Sequence, residues 1–361
     1  MSVSSKFSIR TSTGNYDVEI SPLSTIPQDL LWLIDANVAR LHADHLPRPA
    51  IIQQALESEK CLETVAHVIE QMRDHGCTRQ TTLAAVGGGI VQDIATFAAS
   101  CYMRGIPWVY YPTTLLSMVD SCIGGKSSIN VSRYKNIAGN FYPPRAVHID
   151  PTFCRTLSDE QMVEGLCEAA KICWADSDAS FLQYLELANG LRLQDDSQRL
   201  VRLIEHCLRT KKRFIEEDEF DQGVRLLLNF GHTFGHALES SSQFTISHGV
   251  AVGLGMLAAA HLSRKRGLIG PETGQVKALI AHVHDLMNLV DGLRARLRAI
   301  DPDRAMEAFL SDKKHGPDYL TIIIFNTDGR LKRVHAPRDE TTLTELRDTF
   351  QFICESYNEI Q

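Results

Sequence analysis

Over its first 150 residues the chain alternates strand-like and helix-like stretches, and this alternation restricts the possible folds more than any other feature. LLWLIDANV reads as a strand and precedes the helical ESEKCLETVAHVIEQMRD; TTLAAVGGG precedes the helical IVQDIATFAASCYM; IPWVYYPTT and AVHID follow as further strands. Such a series builds a mainly parallel α/β sheet, because parallel strands need a crossover to return the chain. From about residue 151 the helical period takes over, with helices expected near 158–176, 178–189, 197–216, 223–240, 248–266, 272–284 and 302–312. YLTIIIFNTDGRLKRV is the exception, since its β-branched run and Asp-Gly turn predict a hairpin near 319–334. At 361 residues the chain exceeds the usual single core. Two domains are therefore expected, an α/β domain over 1–150 and a mostly α-helical domain over 151–361.

Composition excludes several function classes. A net charge of −7 and a pI near 6.1, with basic residues placed singly, argue against nucleic acid as a partner. No 18-residue apolar run exists to span a membrane, and the N-terminus lacks the charged start and apolar core of a secretory signal. Nine cysteines are scattered without CxxC pairs, which fits reduced thiols in the cytoplasm rather than a disulfide framework or a thiolate zinc site.

The strongest chemical signal lies in GVRLLLNFGHTFGHALE. Arg225, Asn229, His232 and His236 fall at i, i+4, i+7 and i+11, so a helix would carry them as one stripe among Leu226, Leu227, Leu228, Phe230 and Phe234. A guanidinium, an amide and two imidazoles in that setting are costly unless a metal or an anionic ligand lies against them. A solvated face would show Lys and Glu instead. A third histidine, His248, opens the next apolar helix in TISHGVAVGLGMLAAA, and histidines plus one carboxylate would make a three-ligand divalent metal site with an open position. Spacing leaves open whether His232 pairs with His236 or with His248. A candidate carboxylate comes from VEGLCEAAKICWA, where Glu164, Glu168 and Lys171 share one helix face.

In the first domain, Gly87, Gly88 and Gly89 follow a strand and precede a helix, with Asp93 four residues on. Glycines admit close backbone approach, and the helix start offers unpaired N–H groups to a phosphate, although the pattern is not GxGxxG. The following YPTTLLSMVDSCIGGKSSINVSRYKNIAGNFYPP shows little periodicity and concentrates Asp120, Lys126, Lys135 and Asn136, groups suited to a phosphate or carboxylate.

Taken in order, DANV, GGGxxxD at 87–93, YMRG, PTTLL, VDSCIGGK, KN at 135–136, EGLCEAAK, GVRLLLNFGHTFGHALE, SHG and DKK make the chain from about Asp35 to Lys314 resemble dehydroquinate synthase and the other sugar phosphate cyclases. The resemblance implies a Rossmann-like NAD-binding domain, a helical metal-binding domain and an active site in the cleft between them. It implies a divalent metal, zinc or cobalt, on Glu168, His232 and His248. NAD would be held by Asp35, Asn37, Glu57, Lys60, Gly87, Gly88, Gly89, Asp93, Thr113, Thr114 and Thr156. Substrate groups would fall to Asp120, Lys126, Lys135, Asn136, Lys171, Lys211, Arg225, Asn229, His236 and one of Lys313 or Lys314, with Arg104 reaching across a homodimer interface.

The implied activity is conversion of 3-deoxy-arabino-heptulosonate 7-phosphate to 3-dehydroquinate and phosphate, by transient oxidation on NAD, β-elimination, reduction and intramolecular aldol closure. Lys211 and Arg225 match positions that face the substrate carboxylate in that reaction, and two buried cations without their anion would be costly. Departures from the family pattern are Gln92 for a usual Gly, Thr96 for another small residue, SSIN for TAVN or TAIN, and HGVAV for HGEAV. They keep a second cyclase in view, an amino-dehydroquinate, valiolone-type or deoxy-inosose-type enzyme of secondary metabolism. An iron-type polyol dehydrogenase shares the architecture but has no use for the cations.

Overall fold

The structure is a computed structural model that describes residues 4–359 apart from 24–26, 28–29, 44–45, 48–49, 133, 191–195 and 271–272. The chain forms two compact units, one of residues 1–157 with 187–221, the other of 158–186 with 222–361. This corrects the expected single boundary at 150. The chain enters the second unit at residue 158, returns to the first at 187 and leaves it again at 222.

The first unit is built on a seven-stranded sheet of order β1-β2-β9-β6-β5-β3-β4. Its strands are β1 (Ser5–Thr11), β2 (Gly14–Ile20), β3 (Leu31–Asp35), β4 (Ala50–Gln53), β5 (Leu83–Gly87), β6 (Trp108–Pro112) and β9 (Ala146–Ile149). Every pairing is parallel except β1 with β2. All residues of β3 and β5 are buried, as expected of central parallel strands covered on both faces. Helices α1 (Ala36–Leu41), α2 (Leu62–Asp74) and α3 (Gly89–Cys101) supply the crossovers. From β3 the chain steps outward to β4, then back across β3 to β5 and on to β6 and β9. The direction of winding therefore reverses between β3 and β5, and the carboxyl ends of those strands form the crevice where open α/β sheets bind ligands.

The β1–β2 hairpin was not anticipated. Its sequence alternates with period two, burying Phe7, Ile9, Tyr16, Val18 and Ile20 on one face. That face explains the return of the chain at 187. Helix α6 (Ser197–Glu217), expected in the second domain, packs on β1, with the Arg209 guanidinium 4.7 Å from the Phe7 ring centroid and Ser5 Oγ donating to Glu205 over 2.7 Å. The stretch read as aperiodic holds a short helical turn, Ser117–Ser121, and a small antiparallel hairpin of β7 (Ile129–Val131) and β8 (Tyr134–Ala138).

The second unit is helical, as expected, with α4 (Asp159–Asp176), α5 (Asp178–Ala188), α7 (His232–Ser241), α8 (His248–Lys265), α9 (Val276–Asn288), α10 (Leu293–Arg298), α11 (Pro302–Leu310) and α12 (Glu340–Ser356). The expected hairpin is present as β10 (Tyr319–Phe325) and β11 (Leu331–Pro337). α4 starts on a capping box, in which Ser158 Oγ accepts from the Gln161 N–H and Gln161 Oε1 accepts from the Ser158 N–H. α8 is apolar nearly all round and is the centre of this unit, packed by α4, α7, α9, α12 and β10. One continuous helix over 223–240 does not form. Val224–Asn229 is a 3-10 turn, Gly231 adopts φ +76°, and the α-helix restarts at His232. The four-residue stripe is thus two pieces in different frames, with Arg225 and Asn229 before the break and His232 and His236 after it.

Candidate active site

Close backbone contact between α7 and α8 assembles the histidines. A Cβ at Gly255 would lie 1.9 Å from the Gly231 carbonyl oxygen, and one at Gly235 would lie 2.8 Å from that of Ala251. With no side chain in the way, His232 and His236 of α7 stand beside His248, the first residue of α8. Their ring centroids are 5.3 to 5.6 Å apart, and each ring can present a nitrogen within 4.8 Å of the others. The question left by spacing has a third answer, since all three histidines gather.

Glu168 on α4 distinguishes them. Its Oε1 lies 3.2 Å from His248 Nε2 and 3.6 Å from His232 Nε2. Both rings are oriented from behind: His232 Nδ1 donates to the Phe230 carbonyl over 3.2 Å, and Glu239 Oε2 accepts from His248 Nδ1 over 3.3 Å. Each ring is thereby fixed with Nε2 toward Glu168, the usual second contact of a metal-bound imidazole. Burial, then the charge of Lys171 and the neighbouring rings, holds His232 well below its ordinary pKa; burial, then Lys314, brings His236 down to about 3. Burial alone would lower His248 too, but Glu168 and Glu239 carry it up to about 10. A proton held between two carboxylates marks a place where a divalent cation can substitute for it. Glu168 Oε2 is buried without a hydrogen bond, although Lys171 Nζ stands 2.5 Å away out of alignment. A carboxylate with one oxygen that lacks a hydrogen bond and two oriented imidazoles fit a divalent metal that keeps open positions.

Lys171 is buried beside Glu168, and Arg225 is buried at 2% exposure in the 3-10 turn. Asn229 Nδ2 donates to the Leu226 carbonyl over 3.1 Å. Of the two lysines left open by the sequence, Lys314 is half-buried with Nζ 3.1 Å from Asp312 Oδ2, and its charge helps lower the His236 pKa; Lys313 is exposed.

In the first unit the residues assigned to NAD gather at the winding reversal. Asp35 ends β3, and its Oδ1 accepts from the Asn37 N–H over 2.8 Å. Gly87 ends β5, and Gly88 and Gly89 open α3. A Cβ at Gly88 would meet Thr114 Cγ2 at 3.0 Å, while the Thr113 N–H donates to the Gly87 carbonyl over 3.0 Å, so the loops after β5 and β6 are held together. Lys60 Nζ lies 3.2 Å from Asp93 Oδ2 and 3.8 Å from Glu57 Oε1, and donates to Asn136 Oδ1 over 2.8 Å; Lys135 Nζ is 3.4 Å from Glu57 Oε1. The structure therefore merges Lys135 and Asn136, assigned to substrate, with three residues assigned to NAD. Burial pushes Asp93 up to about 6 against the pull of Lys60. Thr156 Oγ1 donates to the Phe153 carbonyl over 3.1 Å and lies 3.4 Å from Nε2 of His42, the residue that ends α1. Lys211 on α6 donates to the Asp120 carbonyl over 2.6 Å and forms an ion pair with its carboxylate. Lys126 pairs with Asp221 at 2.6 Å. Arg104 is exposed with φ +69°, next to Met103 at φ +48°.

Two family models match, 3-dehydroquinate synthase N-terminal over residues 50–164 and 3-dehydroquinate synthase C-terminal over 165–315. The 3-dehydroquinate synthase of Dehalococcoides mccartyi is 39% identical over 275 residues, covering 76% of this chain and 74% of that protein. The chain belongs to the 3-dehydroquinate synthase family. The synthase of Enterococcus faecalis is 33% identical over 360 residues, with 93% and 97% of the two chains covered. Among solved structures, the 2-epi-5-epi-valiolone synthase of Streptomyces hygroscopicus subsp. jinggangensis 5008, with NAD+ and Zn2+ bound, superposes with a TM-score of 0.79 at 26% identity over 94% of this chain and 96% of that one.

Three residues of the site went unread in the sequence. Glu239 lies three positions after His236 on the face of α7 that carries the histidines, and that spacing could have revealed it. Asn130, whose amide donates to Glu57 Oε1 over 2.9 Å while its own oxygen accepts from the Asn136 N–H, and Asp221 carry no local signal, because their partners are distant in sequence or set by a turn.

Proposed function

We propose that this chain is a 3-dehydroquinate synthase, a carbon–oxygen lyase that converts 3-deoxy-arabino-heptulosonate 7-phosphate to 3-dehydroquinate and phosphate with NAD and a divalent metal, in the cytoplasm and as a homodimer. The observation that carries it is the buried Lys171 ammonium 2.5 Å from Glu168, a cation set against a proposed metal ligand, with the charge of Lys314 acting on the neighbouring His236 ring. An alcohol dehydrogenase has no anion to hold there; a substrate that sheds phosphate does.

When bound, the metal supplies Lewis acidity to vicinal hydroxyls and NAD supplies a reversible hydride acceptor. Glu168, His232 and His248 hold the metal in this reading. His236 is neutral and touches the substrate, able to accept a proton from a hydroxyl. Lys171 and Lys314 orient and neutralise anionic groups, and Lys211 and Arg225 recognise the carboxylate. Asp35, Gly87, Gly88, Gly89 and Asp93 position NAD at the winding reversal, where the start of α3 faces the pyrophosphate. Arg104, exposed and in a left-handed conformation, serves the partner's site.

A second reading within the family rests on Gln92. Both ends of its buried amide are engaged by Ser121, Nε2 donating to the carbonyl and Oε1 accepting from the hydroxyl, each over 2.7 Å. This side chain fills space next to the NAD loop and suits a divergent cyclase of the amino-dehydroquinate, valiolone or deoxy-inosose type. The purified protein, with NAD+ and a divalent metal, is incubated separately with the heptulosonate phosphate, its amino analogue, sedoheptulose 7-phosphate and glucose 6-phosphate. Phosphate release is followed and the product identified by mass. Dehydroquinate from the heptulosonate is the expected product; turnover of another sugar phosphate alone would move the chain to the second reading.

A further inference from the structure

His248 is the first residue of α8, and helix starts fray unless their free N–H groups are satisfied. Ser247, the N-cap residue, makes no capping hydrogen bond. Its hydroxyl instead donates to Glu160 Oε1 over 3.2 Å, and the acceptor for the helix start comes from another element, Glu164 Oε2 taking the Gly249 N–H over 3.4 Å. Glu160, Glu164 and Glu168 succeed one another by four residues along α4, so one face of that helix meets Ser247, Gly249 and His248 in turn. The approach is close enough that a Cβ at Gly249 would fall 2.4 Å from Glu164 Cα.

Arg296 on α10 locks this arrangement. Its Nη1 donates to Glu160 Oε1 over 2.9 Å and to the Thr245 carbonyl over 2.8 Å; its Nη2 donates to Glu160 Oε2 over 3.2 Å and to the Asp291 carbonyl over 2.9 Å. A planar guanidinium gripping a carboxylate with both nitrogens fixes it more firmly than a single contact would. One side chain thus ties the segment leading into His248 to the helix that carries Glu168.

We propose that Arg296 is a positioning residue for the metal centre, acting through Glu160 and Ser247 to hold His248 at its place opposite Glu168. The proposal rests on the reading of Glu168, His232 and His248 as metal ligands. Protein stripped with a chelator is titrated with zinc against a fluorescent chelator, and the visible spectrum of the cobalt-loaded protein is recorded, for Arg296→Met, Arg296→Lys, Ser247→Ala, Glu160→Gln and His248→Ala. NAD affinity and the melting midpoint of the metal-free protein are measured beside them. Arg296→Met is expected to weaken zinc about tenfold or more, the usual size for a residue behind a ligand, and to shift the cobalt spectrum with NAD affinity unchanged. Ser247→Ala and Glu160→Gln should show the same change in smaller measure, and Arg296→Lys should recover part of it. Zinc affinity and cobalt spectra equal to the parent in Arg296→Met and Ser247→Ala would overturn the proposal, as would a lowered melting midpoint with unchanged zinc affinity. Should Arg296→Met fail to fold, Ser247→Ala and Glu160→Gln decide by the same two readouts. Zinc retained by His248→Ala would overturn the ligand reading itself; zinc lost there but bound normally by the Arg296 variants overturns the positioning role alone.

Discussion

His248 and His236 sit 5.6 Å apart between ring centroids, yet their surroundings differ in sign. Two carboxylates flank His248, whereas His236 is buried with Lys314 as its main charged neighbour. A cation is attracted to the first ring, and a neutral acceptor is preserved at the second. His248→Ala should therefore abolish binding of zinc or cobalt, measured as metal content after dialysis, while His236→Ala should keep the metal and lose at least about a hundredfold in turnover, the span of one acid–base group. Loss of metal in both variants would place His236 among the ligands.

Elements position these residues through backbone contact and through edges. Gly255→Ala would drive a methyl group into the Gly231 carbonyl, so α7 and α8 must separate. A loss of about 3 kcal/mol in urea unfolding is expected, with a parallel fall in metal content, because the histidines come from both helices. Gly255→Ala protein with normal metal content would show that the helices can part without moving the rings. The β1–β2 hairpin is held to α6 by Glu216. Burial would raise its pKa, but hydrogen bonds from Lys212 and from the Arg10 backbone and guanidinium bring it from 4.5 down to about 2. A depressed carboxylate contributes stability that is present above its unfolded value and lost as the pH falls through the folded one. The stability gap between the parent and Glu216→Gln should accordingly shrink between about pH 5 and about pH 2. A gap independent of pH would mean that the ion pairs contribute nothing.

At the scale of the whole molecule, the proposed cofactor and metal residues fall in different units, Asp35, Gly87 and Asp93 in one, Glu168, His232 and His248 in the other. Ligands that bind only the folded form protect what they touch, by about 2.7 kcal/mol at a hundredfold excess over Kd. Hydrogen exchange should therefore slow in β3, β5 and the start of α3 on adding NAD+, and in α4, α7 and the start of α8 on adding zinc. Protection in the opposite unit for either ligand would contradict the assignment. The sequence by itself determined the parallel sheet, α4, α5, α8, α9, α11 and the β10–β11 hairpin, because period and turn residues are local properties, whereas α10 and α12 went unread and most proposed site residues were named through family motifs rather than period. It did not determine the partition of the chain, since α6 joins the first unit by covering a hairpin nearly 200 residues earlier. Nor did it determine the break at Gly231 or the clamp of Arg296 on Glu160. Those depend on which backbones and charges meet across long sequence separations, and only tertiary packing decides that.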